Sequence, residues 1–267
     1  MAIDLDAYFE RIHWGGPARP SYGNLAGLLL AHVSRIPFEN LDVLLGRGIR
    51  LDLDGLQAKL ITAKRGGYCF EHATLFASVL ERLGYDLVRH TARVVIVMPR
   101  NEAPRAHELL TVSLPEGTFV VDPGFGGLTP RLPLPLSPDA AVRLEDDVHW
   151  LAREDDHWVL RAAAGEKVID CWVSTLEHDN LVDFEVSNHY TATHPNSPMR
   201  HRLMLRAFTP DGRISVMNRD VTRWCNGVAE RSQLDDRKAL RELLADGFGF
   251  DLPEVEQLRV SSIPEWA

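Results

Sequence analysis

Gly84 separates two kinds of hydrophobic pattern, and that change of period constrains the fold more than any other feature of this chain. Before it, apolar residues recur every three or four positions, as on one face of a helix. Leu5, Tyr8, Phe9 and Ile12 do so after an acidic start at Asp4 or Asp6. Leu25, Leu28, Leu29 and His32 do so after Asn24, a natural N-cap, and Pro37 ends that segment. Asp54 stands in the same way before Leu56 and Leu60. Phe70, Ala73, Ala77 and Leu80 line one face of a helix predicted from Cys69 to Leu83, with Gly84 as its C-terminal glycine. Beyond Gly84, "LVRHTARVVIVM", "ELLTVSL" and "FVVD" are rich in β-branched residues, and "PEGT" marks a turn between two of them. A proline-rich run, "LTPRLPLPLSP", favours extended, irregular chain. "HWLARE", "HWVLRAA" and "KVIDCWV" read as further strands. "HRLMLRAF" and "RISVMN" read as a hairpin around "TPDG", and "DDRKALRELLADG" as a helix ending at Gly247. The order is helices, a strand-rich body and a mixed tail. It predicts an α+β chain with soft boundaries near 85 and 195, giving regions 1–85, 86–195 and 196–267.

Composition excludes several classes of function. The formal charge of −9 and the lack of a long basic run argue against nucleic acid or an anionic membrane as the main partner. No apolar run approaches the roughly 20 residues that cross a bilayer. The opening "MAIDLDAYFERIHW" lacks the basic start and apolar run of a signal peptide. Three cysteines, Cys69, Cys171 and Cys225, without a CxxC pair, form neither a disulfide framework nor a structural zinc site. A reducing cytoplasm is the expected compartment. His178, His189, His194 and His201 have no tight ligand spacing, so no metal is expected. "PGFGG" (Pro123 to Gly127) lacks the context of a dinucleotide fingerprint and reads as a close-approach loop.

One thiol is placed differently from the others. Cys69 follows Gly66 and Gly67 and opens a helix, where unpaired N–H groups and the helix dipole favour a thiolate. The two glycines are expected to supply a tight turn with unusual dihedrals. A cysteine nucleophile needs a base and an orienting group. His107 opens the strand "HELLTVSL" and Asp122 closes "TFVVD". If those strands form a hairpin, the two side chains come within reach, and Asp122 would fix the tautomer of His107 and stabilise its imidazolium. Cys171 and Cys225, beside Trp172 and Trp224, read as structural.

These residues lie within longer stretches that resemble the arylamine N-acetyltransferases. The stretches are "RIPFENLDVLLGRGIRLD", "RGGYCFE", "HELLTV", "VDPGFGG" and "SNHYTATHPNSP", in that order along most of the chain. The resemblance implies a papain-like cysteine-proteinase-type core, with a helical domain, a β-barrel-like domain and a C-terminal α/β lid domain. It implies a catalytic triad of Cys69, His107 and Asp122. It implies ping-pong acetyl transfer from acetyl-CoA, through a cysteine thioester, to arylamines, arylhydroxylamines or hydrazines. Acetyl-CoA is then a co-substrate, with no tightly bound cofactor, and the expected assembly is a monomer or homodimer. By the same resemblance Phe38, Val95, Phe125 and Met204 would wall the acceptor site. Gly126, Gly127 and Ser197 would contact CoA, and Glu39 and Arg65 would form a supporting ion pair.

The chain departs from the family pattern at three positions. Ala73 stands where Asn is usual, Pro123 follows the triad Asp, and Met199 replaces a Phe after "SP". Three rival readings are a papain-like cysteine hydrolase, an amide synthase using the same triad, and a non-enzymatic binding module needing no reactive thiol.

Overall fold

A computed structural model of the protein describes residues 2–266. The amphipathic segments before Gly84 are helices. In α1 (Leu5–Ile12), Asp4 is the N-cap and accepts from the Ala7 N–H. Helix α2 (Tyr22–Arg35) begins before the predicted cap. Ser21 has the extended backbone of an N-cap and accepts from the Asn24 N–H, while the Asn24 amide turns to the Arg19 carbonyl. A two-residue strand, β1 (Phe38–Glu39), follows Pro37, and short helices α3 (Leu41–Leu44) and α4 (Leu53–Leu56) come next. Asp52, rather than Asp54, caps α4, because its extended backbone lets the carboxylate reach the Gly55 N–H. A π-turn over Gln57–Thr62 leads to Gly66, Gly67 and α5 (Cys69–Arg82). Gly84 has a φ of 83°, as predicted for a terminating glycine. Helices α1, α2 and α5 share one core, including Tyr8, Leu28, Phe76 and Leu80, with Leu110, Val112 and Val121 from the sheet that follows.

That sheet contains β2 (Asp86–Val94), β3 (Arg105–Leu114), β4 (Gly117–Val121), β5 (Leu134–Pro135), β6 (Val142–Leu144), β7 (Asp147–Glu154), β8 (His157–Ala164) and β9 (Lys167–Ser174). All pairs are antiparallel, in the order β5-β4-β3-β2-β9-β8-β7-β6. Past β5, the Asp139 N–H donates to the Leu151 carbonyl of β7 at 2.8 Å, so the sheet curls back on itself and nearly closes as a barrel. Leu109, Leu151, Leu160 and Trp172 pack in one core cluster of this sheet. The proline-rich run supplies β5 and otherwise stays irregular.

Helix α6 (Leu181–Thr193) lacks a sequence signal because only Phe184, Asn188 and Thr191 are buried, two of them polar. It precedes a meander of β10 (Met204–Thr209), β11 (Gly212–Met217), β12 (Asp220–Cys225) and β13 (Val228–Gln233). The hairpin around "TPDG" is therefore present and is extended by two more strands. The last helix, α7 (Arg237–Leu243), runs into a π-turn, Leu244–Phe248. That turn takes in Gly247, and Gly249, at φ 79°, is the terminating glycine instead.

Strand β1 adds to the edge of the meander, pairing Phe38 with Arg206 and Glu39 with Leu205. Buried charges hold this junction. Arg65 Nη2 lies 2.6 Å from Glu39 Oε1, and Arg65 Nη1 lies 2.8 Å from Asp42 Oδ1. Lys59 Nζ is 2.8 Å from both Asp42 Oδ2 and Glu71 Oε1. Lys59 and Arg65 thus serve three carboxylates, joined at Asp42 by the more exposed Arg47 at 3.4 Å, and the predicted Glu39–Arg65 pair is one side of a larger network. Removing one partner from such a buried group leaves an uncompensated charge. Arg65→Met is expected to destabilise the protein by about 3 kcal/mol or more in denaturant unfolding at neutral pH.

Candidate active site

Cys69 is the first residue of α5 and is 4% exposed. The helix start is held by Glu71, whose Oε2 accepts from the Tyr68 N–H at 3.1 Å. Gly66 and Gly67 are needed for close approach rather than for unusual dihedrals, since neither has a positive φ. A Cβ on Gly66 would lie 2.0 Å from the Pro37 carbonyl oxygen, and one on Gly67 would lie 2.9 Å from Glu71 Cβ.

His107 lies in β3 and Asp122 follows β4. The register pairs Leu110 with Val121, which carries Asp122 alongside Leu109. His107 is two residues further along the same face, and its Nε2 reaches Asp122 Oδ2 at 2.8 Å. The β2–β3 pairing slips at this point: Ala92 faces His107 and Arg93 faces Arg105, so Ala106 is the extra residue of a bulge. The Ala106 carbonyl lies 4.0 Å from Cys69 Sγ, and the Glu108 N–H favours the thiolate. The sulfur therefore rests against the backbone on either side of His107.

The hairpin reading of His107 and Asp122 holds, but a third group completes it. Trp172 of β9 donates its indole N–H to Asp122 Oδ2 at 2.9 Å. The Gly124 N–H approaches Oδ1 at 3.3 Å; Pro123 has no N–H to offer. Both carboxylate oxygens are thus engaged in a fully buried site. The sequence marked Trp172 only as an apolar neighbour of Cys171. An indole is an apolar body with one donor, so its polar role depends on what lies opposite.

The thiol does not behave as the helix-start argument predicts. Burial, then the charges of Asp122 and Glu108, push its pKa up, against weaker help from the Phe70 and Glu108 N–H groups. Desolvation outweighs the dipole because the sulfur is enclosed. Burial likewise pushes Cys171 up to about 12, whereas Cys225 is exposed rather than packed beside Trp224. Glu108, next to His107, is buried and raised to about 7 by desolvation, with Arg89 Nε at 2.7 Å from its carboxylate. It was not picked out in the sequence, since alternation alone does not show which acid faces inward.

The other candidate residues divide into two groups. Phe38 and Met199 pack in the apolar cluster that contains Cys69, Tyr68, Phe70 and Phe184. Phe125 stands edge-on to His107 at 5.1 Å between ring centres. Gly126, at φ 74°, lies under the Phe38 ring, where a Cβ would be 3.3 Å from it. Gly127 is exposed, and its carbonyl accepts from Arg206. Val95 packs instead with Ala152, Val159 and Val173, and Met204 opens β10 with its N–H on Asn40 Oδ1 at 2.9 Å. Ser197 spends its hydroxyl on the Thr191 carbonyl at 2.5 Å. Among the described residues no cluster of His, Cys, Asp and Glu could hold a metal ion, and no helix is long and apolar enough to cross a membrane.

A profile of the N-acetyltransferase family matches residues 22–257. The arylamine N-acetyltransferase of Escherichia coli K12 is 36% identical over 258 residues, covering 96% of this chain and 92% of that protein. The chain belongs to the arylamine N-acetyltransferase family. The Salmonella typhimurium relative, an arylamine N-acetyltransferase / N-hydroxyarylamine O-acetyltransferase, is 35% identical over 258 residues, covering 96% of this chain and 92% of its own. The solved arylamine N-acetyltransferase of Mycobacterium marinum in complex with CoA superposes with a TM-score of 0.89 at 33% identity, covering 94% of each chain. As an α+β member of the family, with a nearly closed sheet following the helices, the protein has the architecture its sequence implied.

Close to Cys69, His107 and Asp122 of this arylamine N-acetyltransferase family member runs a second buried chain of polar groups. Tyr8 Oη is 2.8 Å from His32 Nδ1, and His32 Nε2 is 2.9 Å from His72 Nδ1. Burial holds His72 down to about 4, with Lys59 and Arg11 adding repulsion. Burial, His72 and Arg11 depress His32 as well. Both histidines are therefore neutral when folded, while the unfolded chain takes up their protons below about pH 6.5. Their contribution is complete above that pH and is lost as pH falls towards 4. His72 alone accounts for roughly 3 kcal/mol of this loss. Thermal unfolding between pH 7 and 4.5 is expected to show it, with a flatter profile for His72→Leu. Separately, Trp172→Phe removes one hydrogen bond to a buried carboxylate and is expected to lower kcat/KM for acetyl transfer about tenfold or more in initial-rate assays.

Proposed function

We propose that the protein transfers acetyl from acetyl-CoA to arylamines, by way of a thioester on Cys69. The single observation that carries this mechanism is the Asp122–His107 pair, 2.8 Å apart, set against the sulfur at the start of α5. With Nε2 engaged by Asp122, His107 has Nδ1 to accept the thiol proton. The raised thiol pKa fits this order of events. A lone thiolate is disfavoured in the buried site, so it forms as an ion pair with the imidazolium that Asp122 stabilises.

The thiolate then attacks the acetyl carbonyl of acetyl-CoA. The tetrahedral oxyanion lies near the N–H groups at the helix start, of which that of Phe70 already favours negative charge on the sulfur. Collapse breaks the bond to the CoA sulfur, which leaves with the proton from His107. An arylamine attacks the Cys69 thioester in the second half-reaction. His107 takes the amine proton, and the amide departs as the thiolate is released and reprotonated.

The apolar surfaces of Phe38, Phe125 and Met199 suit an aromatic acceptor. The Salmonella relative's name supports arylhydroxylamines as further acceptors, and hydrazines follow from the same nucleophilic chemistry. Gly126 and Gly127 offer backbone to CoA, while Ser197 does so only through its main chain, its hydroxyl being engaged. Free thiols at Cys69, Cys171 and Cys225 are consistent with a cytoplasmic location.

Intact-mass measurement after adding acetyl-CoA tests the mechanism. The wild type is expected to gain one acetyl group, held until an arylamine is added. Cys69→Ser is expected to fold normally and gain none. An unmodified wild type overturns the thioester, and rapid loss of the acetyl group to water without amine points instead to a hydrolase.

A further inference from the structure

The Tyr8–His32–His72 chain ends on a carbonyl, and that end fixes every proton in it. His72 Nε2 lies 3.2 Å from the Pro37 oxygen, which can only accept, so Nε2 carries the hydrogen. His72 is 1% exposed and His32 and Tyr8 are fully buried, in surroundings that disfavour an imidazolium. A neutral His72 then has a bare Nδ1, which accepts from His32 Nε2 at 2.9 Å. His32 is left with a bare Nδ1, which accepts from the Tyr8 hydroxyl at 2.8 Å. With both rings neutral, only this arrangement satisfies every contact, and it directs all the donors towards Pro37.

The terminal carbonyl is placed next to the reaction. Pro37 also accepts from the Gly67 N–H at 3.2 Å, two residues before Cys69. It precedes Phe38, whose ring covers Gly126 and packs in the Cys69 cluster. His72 lies one helical turn beyond Cys69, and Gly124 sits over both. A Cβ on Gly124 would be 2.6 Å from Cys69 Cα and 3.1 Å from His72 Cβ. Ala73, where the family pattern has Asn, has no polar side-chain atom, and it is the neighbouring His72 whose side chain reaches the Pro37 carbonyl.

We propose that His72 is a positioning residue: held by His32 and Tyr8, it locks the Pro37–Phe38 segment onto the nucleophile helix, so that the acceptor wall and the sulfur stay in register. The inference rests on the reading of Cys69 as the acetylated residue. It rests as well on the reading of Phe38 as part of the acceptor wall and so concerns the second half-reaction, whereas His72 itself touches no reacting atom.

The test compares His72→Leu with His72→Gln, using aniline as acceptor. Leu removes both hydrogen bonds. Gln restores an N–H near the position of Nε2. For His72→Leu the KM for aniline is expected to rise about tenfold, while acetylation of Cys69 by acetyl-CoA, followed by mass, changes less than about threefold. His72→Gln is expected to recover most of the loss. A fall in thermal stability with an unchanged KM for aniline would mean that the chain only packs, and would overturn the proposal. So would a Gln variant as impaired as the Leu variant. If His72→Leu does not fold, nitrogen NMR of the wild-type rings decides, since both histidines must carry hydrogen on Nε2; a hydrogen on Nδ1 of His72 overturns the lock. A wild type that is not acetylated on Cys69 refutes the reading of the nucleophile, and the ring tautomers still judge the lock separately.

Discussion

The buried carboxylate of Asp122 is the point on which the site depends. It has no access to water, and its oxygens accept from His107, Trp172 and Gly124, which come from β3, β9 and the loop after β4. A carboxylate is stable in such a place only when it is supplied with donors. Gly124 and His107 are supplied by the local hairpin and its loop, but Trp172 lies 50 residues away on β9, so pairing β9 into the sheet and solvating Asp122 are one event. The orientation of His107 follows, because its Nε2 is tied to a group that cannot move.

Charge is handled in the same way beneath the start of α5. Glu39, Asp42 and Glu71 share Lys59 and Arg65, and the Glu71 carboxylate also holds the first turn of α5. This network joins β1 to the helix start, and β1 in turn pairs with the last sheet. The sulfur itself is kept as a thiol by enclosure. A thiolate there is therefore conditional on a proton acceptor close by.

Much of the fold was legible in the sequence, because period and punctuation are local properties. The helices before Gly84, the β2–β3–β4 meander and the hairpin around "TPDG" all follow from patterns within a few residues. Cap positions slipped, to Ser21, Asp52 and Gly249, because several small polar residues or glycines compete at each end and the backbone geometry chooses among them. Helix α6 and strand β13 were illegible for a different reason. The first buries few apolar groups and the second is exposed along its length, so neither carries a strong period.

The candidate site divides along the same line. Cys69 at a helix start, His107 near a strand start, two residues inside β3, and Asp122 just past the end of β4 are positions a sequence can show to within a residue or two, and the quoted motifs name the family. Which indole faces Asp122, which acid lies beside His107, and how Tyr8, His32 and His72 share their protons were settled only when strands and helices far apart in the chain packed together. The thiol is the clearest case. Its place on the helix is local and favours the thiolate, but its burial is tertiary and reverses the balance, because desolvation in an enclosed site exceeds the pull of a helix dipole.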